Sequence, residues 1–184
     1  YRVENKAIKI NQSKQSVKNI GSRFKVLSKT LPLPDLKYCK NNVLSYDWEP
    51  GETLYSVDNF EVFKMFLNFC DERMWKNICT DESFNTKRAV RDFYIKKTID
   101  RVESFLNTRD RNMYSKSVSI NGFTIRSIES QIKTIEDKIN NHSGLFVEDY
   151  HGDFHFENIL FNKDSKDFSL IDWRPDFGSQ ARFG

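Results

Sequence analysis

At 184 residues and 21.8 kDa, with 38% hydrophobic and 30% charged residues and only seven glycines and four prolines, the chain can bury one sizeable core. That balance excludes disorder and fibrous repeats. The formal charge of +3 hides an asymmetry, since residues 1–40 carry ten Lys or Arg against two acids and residues 41–184 carry nineteen against twenty-four. A basic first segment suits either a nucleic-acid surface or a lobe facing an anionic ligand. With neither Gly/Arg repeats nor zinc-finger spacing in the sequence, nucleic acid is not the expected partner.

In chain order, KAIKI at 6–10 reads as a short strand, and SKQSVKNIGSRFKVLSKTL at 13–31 repeats Val17, Ile20, Phe24 and Leu27 on one helical face, with Ser13 as its cap. Pro32 and Pro34 end that helix. Two strands are expected around 35–39 and 42–48, joined by Lys40 and Asn41, followed by a turn over 49–52. Helices are predicted over 60–75, 86–106 and 126–139 from apolar residues spaced three and four apart. The aromatic residues at 63, 66, 69, 93 and 94 are assigned to core. Between the last two helices, Asn121-Gly122 fits either a hairpin turn or a helix-leading loop. The end of the chain returns to strand-like runs in LFVEDYHGD, ENILFN and FSLIDW, with KDSKD at 163–167 as a turn between the second and third.

Cys39, Cys70 and Cys79 are odd in number and form no CxxC pair. They are expected as buried free thiols, not as a disulfide framework or a structural zinc site. No run approaches the roughly 18 apolar residues of a membrane span. The start, YRVENKAIKINQ, holds neither a signal core nor a cleavage pattern. A cytoplasmic protein is the expectation.

The chemistry is concentrated in HGDFHFENILFNKDSKDFSLIDWRPDFG at 151–178. The hairpin that follows Asn158 returns a strand ending at Asp172, so Asp153, Asn158 and Asp172 are expected near one rim. Oxygen ligands of this kind suit Mg2+, a hard cation that bridges phosphates. A carboxylate that does not bind the metal can orient a hydroxyl and accept its proton. Together these are the parts needed for phosphoryl transfer to an alcohol.

The segment HGDFHFEN-IL followed by LIDW resembles the catalytic segment of the aminoglycoside phosphotransferase and choline kinase superfamily, and is similar in arrangement to the protein kinase catalytic loop, with Gly152 in place of arginine. The resemblance implies an α+β, protein-kinase-like fold: a partial small lobe over 1–48 and a mainly helical large lobe with a catalytic hairpin over 49–184. It implies Asp153 as catalytic aspartate, His155 near the transferred phosphoryl, Asn158 and Asp172 as ligands of Mg2+, and His151 holding the loop from below. Lys9 resembles the strand lysine that pairs ATP phosphates, although the helix at 13–31 contains no glutamate to partner it. The backbone near Tyr46, Asp47 and Trp48 resembles the hinge facing adenine.

No Gly-rich loop precedes Lys9 and nothing follows Gly184, so incomplete coverage of the fold is expected. Asp176-Phe177-Gly178 spells the metal triplet of protein kinases but follows Trp173-Arg174-Pro175, not an apolar strand; it is assigned to a turn or substrate-side loop. Phe154 and Phe156 are read as packing anchors, and His142 is given no role. The implied activity is transfer of the ATP γ-phosphoryl to a hydroxyl of a small molecule, with a sugar or sugar derivative preferred and Arg174 facing it. An inactive kinase-like interaction module and a choline or aminoglycoside kinase are the alternatives, and the oligomeric state is left open.

Overall fold

The computed structural model describes residues 1–82, 84–109, 111–141, 144–178 and 182, with the side chain of Met113 excepted. His142, given no role above, lies outside the described residues. The chain is α+β and divides into two compact units, residues 1–80 with 146–184, and residues 81–145. The lobe boundary expected after residue 48 falls inside the first unit.

The first unit opens with strands β1 (Arg2–Val3) and β2 (Lys6–Ile10), then helix α1 (Lys14–Leu27), β3 (Leu36–Lys40) and β4 (Val43–Asp47). These strands form one antiparallel sheet in the order β1-β2-β4-β3. Helix α1 starts where expected because the Ser13 hydroxyl accepts from the Ser16 N–H at 3.2 Å, satisfying a donor the helix leaves open. It stops at Leu27, before the prolines, and Val17 and Leu27 are buried. Gly21 is where this helix meets β3: a Cβ there would lie 2.7 Å from Cys39 Sγ, so any larger residue would have to displace that thiol.

A second sheet, β5-β8-β9, joins β5 (Glu52–Thr53) to the hairpin of β8 (Ile159–Asn162) and β9 (Asp167–Leu170). Helix α2 (Phe60–Arg73), capped by Asn59, packs Val62 and Phe66 against it. The predicted extension of α2 to Trp75 fails, because Met74 is extended and Trp75 adopts a positive φ of 58°. LFVEDYHGD is not a strand either; its one ladder contact is an isolated bridge between Ile78 and Val147. Its apolar residues are used for burial, Phe146 and Val147 at 6% and 8% exposure.

The core of this unit gathers Leu27, Leu31, Phe66, Ile159, Leu170 and Trp173 with their neighbours. Phe66 is its aromatic centre, with Phe154, Phe168 and Phe156 ring centroids at 5.7, 5.6 and 5.9 Å. Phe66→Ala is expected to lower stability by roughly 3–5 kcal/mol in urea unfolding, through lost burial and an uncollapsed cavity; an unchanged midpoint would remove Phe66 from the core. Core assignment of all five aromatics overreached, since Phe63 and Tyr94 are 36% and 48% exposed. Helical spacing places a ring on a stripe, but the edge of the stripe still meets water.

In the second unit the predicted helix at 86–106 runs as α3 (Thr86–Val90), a π-helical stretch (Arg91–Lys96) and α4 (Lys97–Leu106). A short helix α5 (Asn112–Ser115) leads to the hairpin of β6 (Val118–Ile120) and β7 (Phe123–Ile125). Asn121 and Gly122 both have positive φ, 51° and 81°, which settles the hairpin reading over the loop. Helix α6 (Ile128–Asn140), capped by Ser127, closes the unit, and Glu136 on it pairs with Arg91 at 3.5 Å. No described helix is long and apolar enough to cross a membrane. The three cysteines are free, but half-buried rather than buried.

Candidate functional site

Two clusters within the first unit contain the residues singled out by sequence. The first forms at the exit of β9. The chain leaves the strand through Ile171, whose N–H donates to Asn158 O at 2.9 Å, and turns at Asp172, which holds a left-handed φ of 63°. Aspartate tolerates this region better than most residues, but it is still an uncommon conformation. The turn carries the Asp172 carboxylate to Lys9 on β2, with which it forms an ion pair, and to the Tyr46 hydroxyl, which donates to Oδ1 at 3.2 Å. Lys9, left without a glutamate on α1, thus has Asp172 itself as its partner.

Burial, with the Asp172 charge and hydrogen bond adding to it, pushes the Tyr46 phenol above its ordinary range, so it stays a donor. Tyr46 packs on Trp173 at 6.1 Å between centroids, and Trp173 in turn donates from Nε1 to Ile20 O of α1 at 3.2 Å. Lys9, Tyr46, Asp172 and Trp173 line an open cavity of about 180 Å³ together with Asn11 and Leu44.

The second cluster is the loop 151–158. The N–H of Asp153 reaches His151 Nδ1 at 3.4 Å, and His151 Nε2 meets Ile171 O at 2.8 Å, so the ring is the Nε2-protonated tautomer and ties the loop to the end of β9. Arg174 N donates back to His151 O at 2.9 Å. Asn158, buried at 7% exposure, donates from Nδ2 to Asp153 O at 2.9 Å and reaches Asp153 Oδ2 at 3.5 Å and His155 Nε2 at 3.0 Å. The Asp153 carboxylate and the His155 ring are about half exposed, 3.9 Å apart. A loop fixed by its buried members therefore presents a carboxylate and an imidazole to solvent.

Burial lowers the His151 pKa below its ordinary 6.5, outweighing the opposing Ile171 hydrogen bond and the charges of Asp153 and Asp172. The unfolded chain then binds a proton that the folded chain refuses as pH falls below about 6.5. Stability should be complete above that pH and decline below it, towards the folded-state value. This slope should shrink in His151→Gln when unfolding midpoints are measured from pH 7.5 to 5; an equal slope in both proteins would assign the titration elsewhere.

Among the described residues, no group of three or more His, Cys, Asp or Glu side chains could hold a metal ion. Mg2+ asks for less, because it keeps waters and substrate phosphates around one or two protein oxygens. The two residues expected as its ligands, Asn158 and Asp172, are linked through Ile171, whose N–H donates to Asn158 O. The Asn158 amide nitrogen is engaged while its Oδ1 accepts no hydrogen bond among the described residues, and Asp172 Oδ2 is likewise outside the Lys9 and Tyr46 contacts.

Asp47 and Trp48, expected with Tyr46 to face adenine, engage elsewhere. Asp47 donates its N–H to Asp35 O at 3.0 Å and its carboxylate pairs with Lys37 at 2.9 Å. Trp48 donates its N–H to Asn5 O at 2.8 Å and lies under the Arg2 guanidinium at 4.5 Å. Asp176 lies near Tyr150, and Phe177 packs edge-on against Phe146 and Tyr150 at 5.5 and 6.2 Å, which roots the Asp176-Phe177-Gly178 triplet by the segment that leads into the loop.

Two participants escaped the sequence reading. Tyr46 was noticed for its backbone, not its hydroxyl. Arg23 of α1 is 1% exposed, donates to the carbonyls of Glu148, Tyr150 and Arg182, and stacks on the Tyr150 ring at 3.7 Å. It anchors the stretch immediately before His151. A signal for it existed: Arg23 follows Ile20 by three residues and precedes Leu27 by four, which places it on the apolar stripe.

No family model matches the chain, and neither a curated protein nor a solved structure matches it.

Proposed function

We propose that this chain acts as an ATP-dependent phosphotransferase of the protein-kinase-like fold, moving the γ-phosphoryl group to a hydroxyl of a small molecule, with a sugar or sugar derivative as the preferred acceptor. The observation that carries this reading is the meeting of Lys9 and Asp172, 163 residues apart in sequence, beside a loop that presents Asp153. A buried asparagine and histidine brace both parts. A structural hairpin has no need of a lysine from a distant strand against a carboxylate held in a left-handed turn.

In this reading Asp153 receives the acceptor hydroxyl, orients its oxygen and takes its proton as the phosphoryl group transfers. Asn158 fixes Asp153 through its amide and offers its free oxygen, with Asp172, to Mg2+. The ion would supply positive charge against the phosphates. Lys9 exchanges Asp172 for phosphate oxygens when nucleotide binds. His155 adds a donor beside Asp153, and Arg174 is the candidate contact for an anionic acceptor. Lys9, Asp172 and Tyr46 all line the 180 Å³ cavity.

A second reading, a kinase-like module that does no chemistry, is favoured by the same ion pair, since Lys9 on Asp172 occupies both groups needed for nucleotide. Calorimetric titration of the chain with a non-hydrolysable ATP analogue separates the two. Binding that requires Mg2+ is expected for the phosphotransferase. Absence of binding with or without the metal would favour the inactive module.

A further inference from the structure

The basic excess of the first forty residues is only partly consumed by the site. Lys9 pairs with Asp172, Arg23 is buried against carbonyls, Lys37 bridges Asp35 and Asp47 at 3.3 and 2.9 Å, and Arg2 covers Trp48. Lys14, Lys18, Lys25 and Lys40 are different. Their ammonium groups make no ion pair or hydrogen bond among the described residues, and all four line one groove of about 620 Å³ between α1 and β3. No carboxylate lines it.

The geometry of the groove follows from the elements that form it. Lys14, Lys18 and Lys25 are spaced four and seven apart, so they share a face of α1 at intervals of about 6 and about 10 Å along its axis. Lys40 faces them from the end of β3. The floor is Val17, Leu36 and Cys39, and it is pinned where Gly21 meets Cys39, whose thiol donates to Val17 O at 3.1 Å.

A lysine on β3 has an ordinary explanation, because β3 is the edge of its sheet and charge blunts an edge against pairing. That explanation does not reach the helix lysines, which are on no edge. Like charges about 6–10 Å apart repel by only about 0.4–0.7 kcal/mol per pair in water, so the fold tolerates them. An anion seated in the groove gains from several of them at once. The volume lies within the range of about 300–1,000 Å³ typical of small-molecule sites, and the apolar floor suits a compact ligand better than an extended strand.

We propose that this groove binds a compact, multiply phosphorylated small molecule, its phosphates held by the α1 lysines on one wall and Lys40 on the other. It lies apart from the Asp153–Asp172 site and does not depend on the activity assigned there. The shared chemistry, clustered phosphates, can come free in solution or on a lipid headgroup.

The test is calorimetric titration of the full chain with sodium tripolyphosphate at two salt concentrations, alongside sedimentation with vesicles carrying multiply phosphorylated headgroups. Binding is expected to weaken with salt and to fall at least tenfold in Lys18→Gln/Lys40→Gln, a double variant of exposed residues whose fold is checked by circular dichroism. Lys133→Gln, at an exposed position on α6, should leave it unchanged. Binding in one arm or both, lost in the double variant, supports the groove and identifies the source of the phosphates. Binding in neither arm would overturn the proposal, as would binding retained in the double variant. Tighter hold on a single-stranded oligonucleotide than on tripolyphosphate would also overturn it.

Discussion

Asp172→Ala is expected to abolish phosphoryl transfer, by at least on the order of 10²–10³-fold, while Asp176→Ala leaves turnover near that of the unchanged chain. The two aspartates are four residues apart, and the more familiar-looking triplet belongs to Asp176. Position separates them. Asp172 stands at the exit of β9 in contact with Lys9 and Tyr46, whereas Asp176 is beside Tyr150 and precedes a phenylalanine packed on Phe146. Removing Asp172 leaves Lys9 without its carboxylate and, in the proposed reading, would take away one of the two oxygen donors for Mg2+. Asp153→Ala should be equally damaging through loss of the proton acceptor, with the fold retained. The measurement is release of ADP with a panel of hydroxyl acceptors, sugars first, with circular dichroism as control. Turnover that survives Asp172→Ala and disappears in Asp176→Ala would reassign the metal ligand.

The largest loss of stability from a single polar change is expected at Arg23. Its guanidinium is buried, its pKa lowered first by that burial, and it is kept charged inside the protein by three carbonyls and the face of Tyr150. Arg23→Leu keeps much of the volume but leaves those carbonyls unpaired, and about 3–5 kcal/mol should be lost, the range seen when one partner of a buried charged contact is removed. Arg23→Lys should recover only part of it, because an ammonium cannot reproduce the planar fork or its stacking. Urea denaturation of the three proteins checks both statements. A loss below about 1 kcal/mol for Arg23→Leu would mean that the carbonyls find water.

Much of this was legible in the sequence because it is encoded locally. The Ser13 cap, the apolar spacing of Val17 to Leu27 and the KDSKD turn each depend on residues within a few positions of one another, and each appears where expected. Strand β5 was not legible, since Glu52 and Thr53 become a strand only by pairing with Phe161 and Leu160 far along the chain. LFVEDYHGD misled for the opposite reason: its apolar residues serve burial without a ladder partner. In the site, the Asp153, Asn158 and Asp172 spacing is local and could be read. The Lys9 and Tyr46 contacts to Asp172 cross well over a hundred residues and left only a lysine without a glutamate as their trace.

The backbone at Gly152 has a consequence for the routes by which this loop can change. It holds a φ of 87°, and a Cβ there would lie 2.7 Å from the Cβ of Arg174, with two more atoms of that side chain within 3.2 Å. The space that an arginine at 152 would occupy is therefore already filled by an arginine twenty-two positions later. A descendant of this chain acquiring the loop arginine of protein kinases could not do so in one step. It would have to displace the side chain at 174 and also hold a side-chain-bearing residue 152 in the left-handed region.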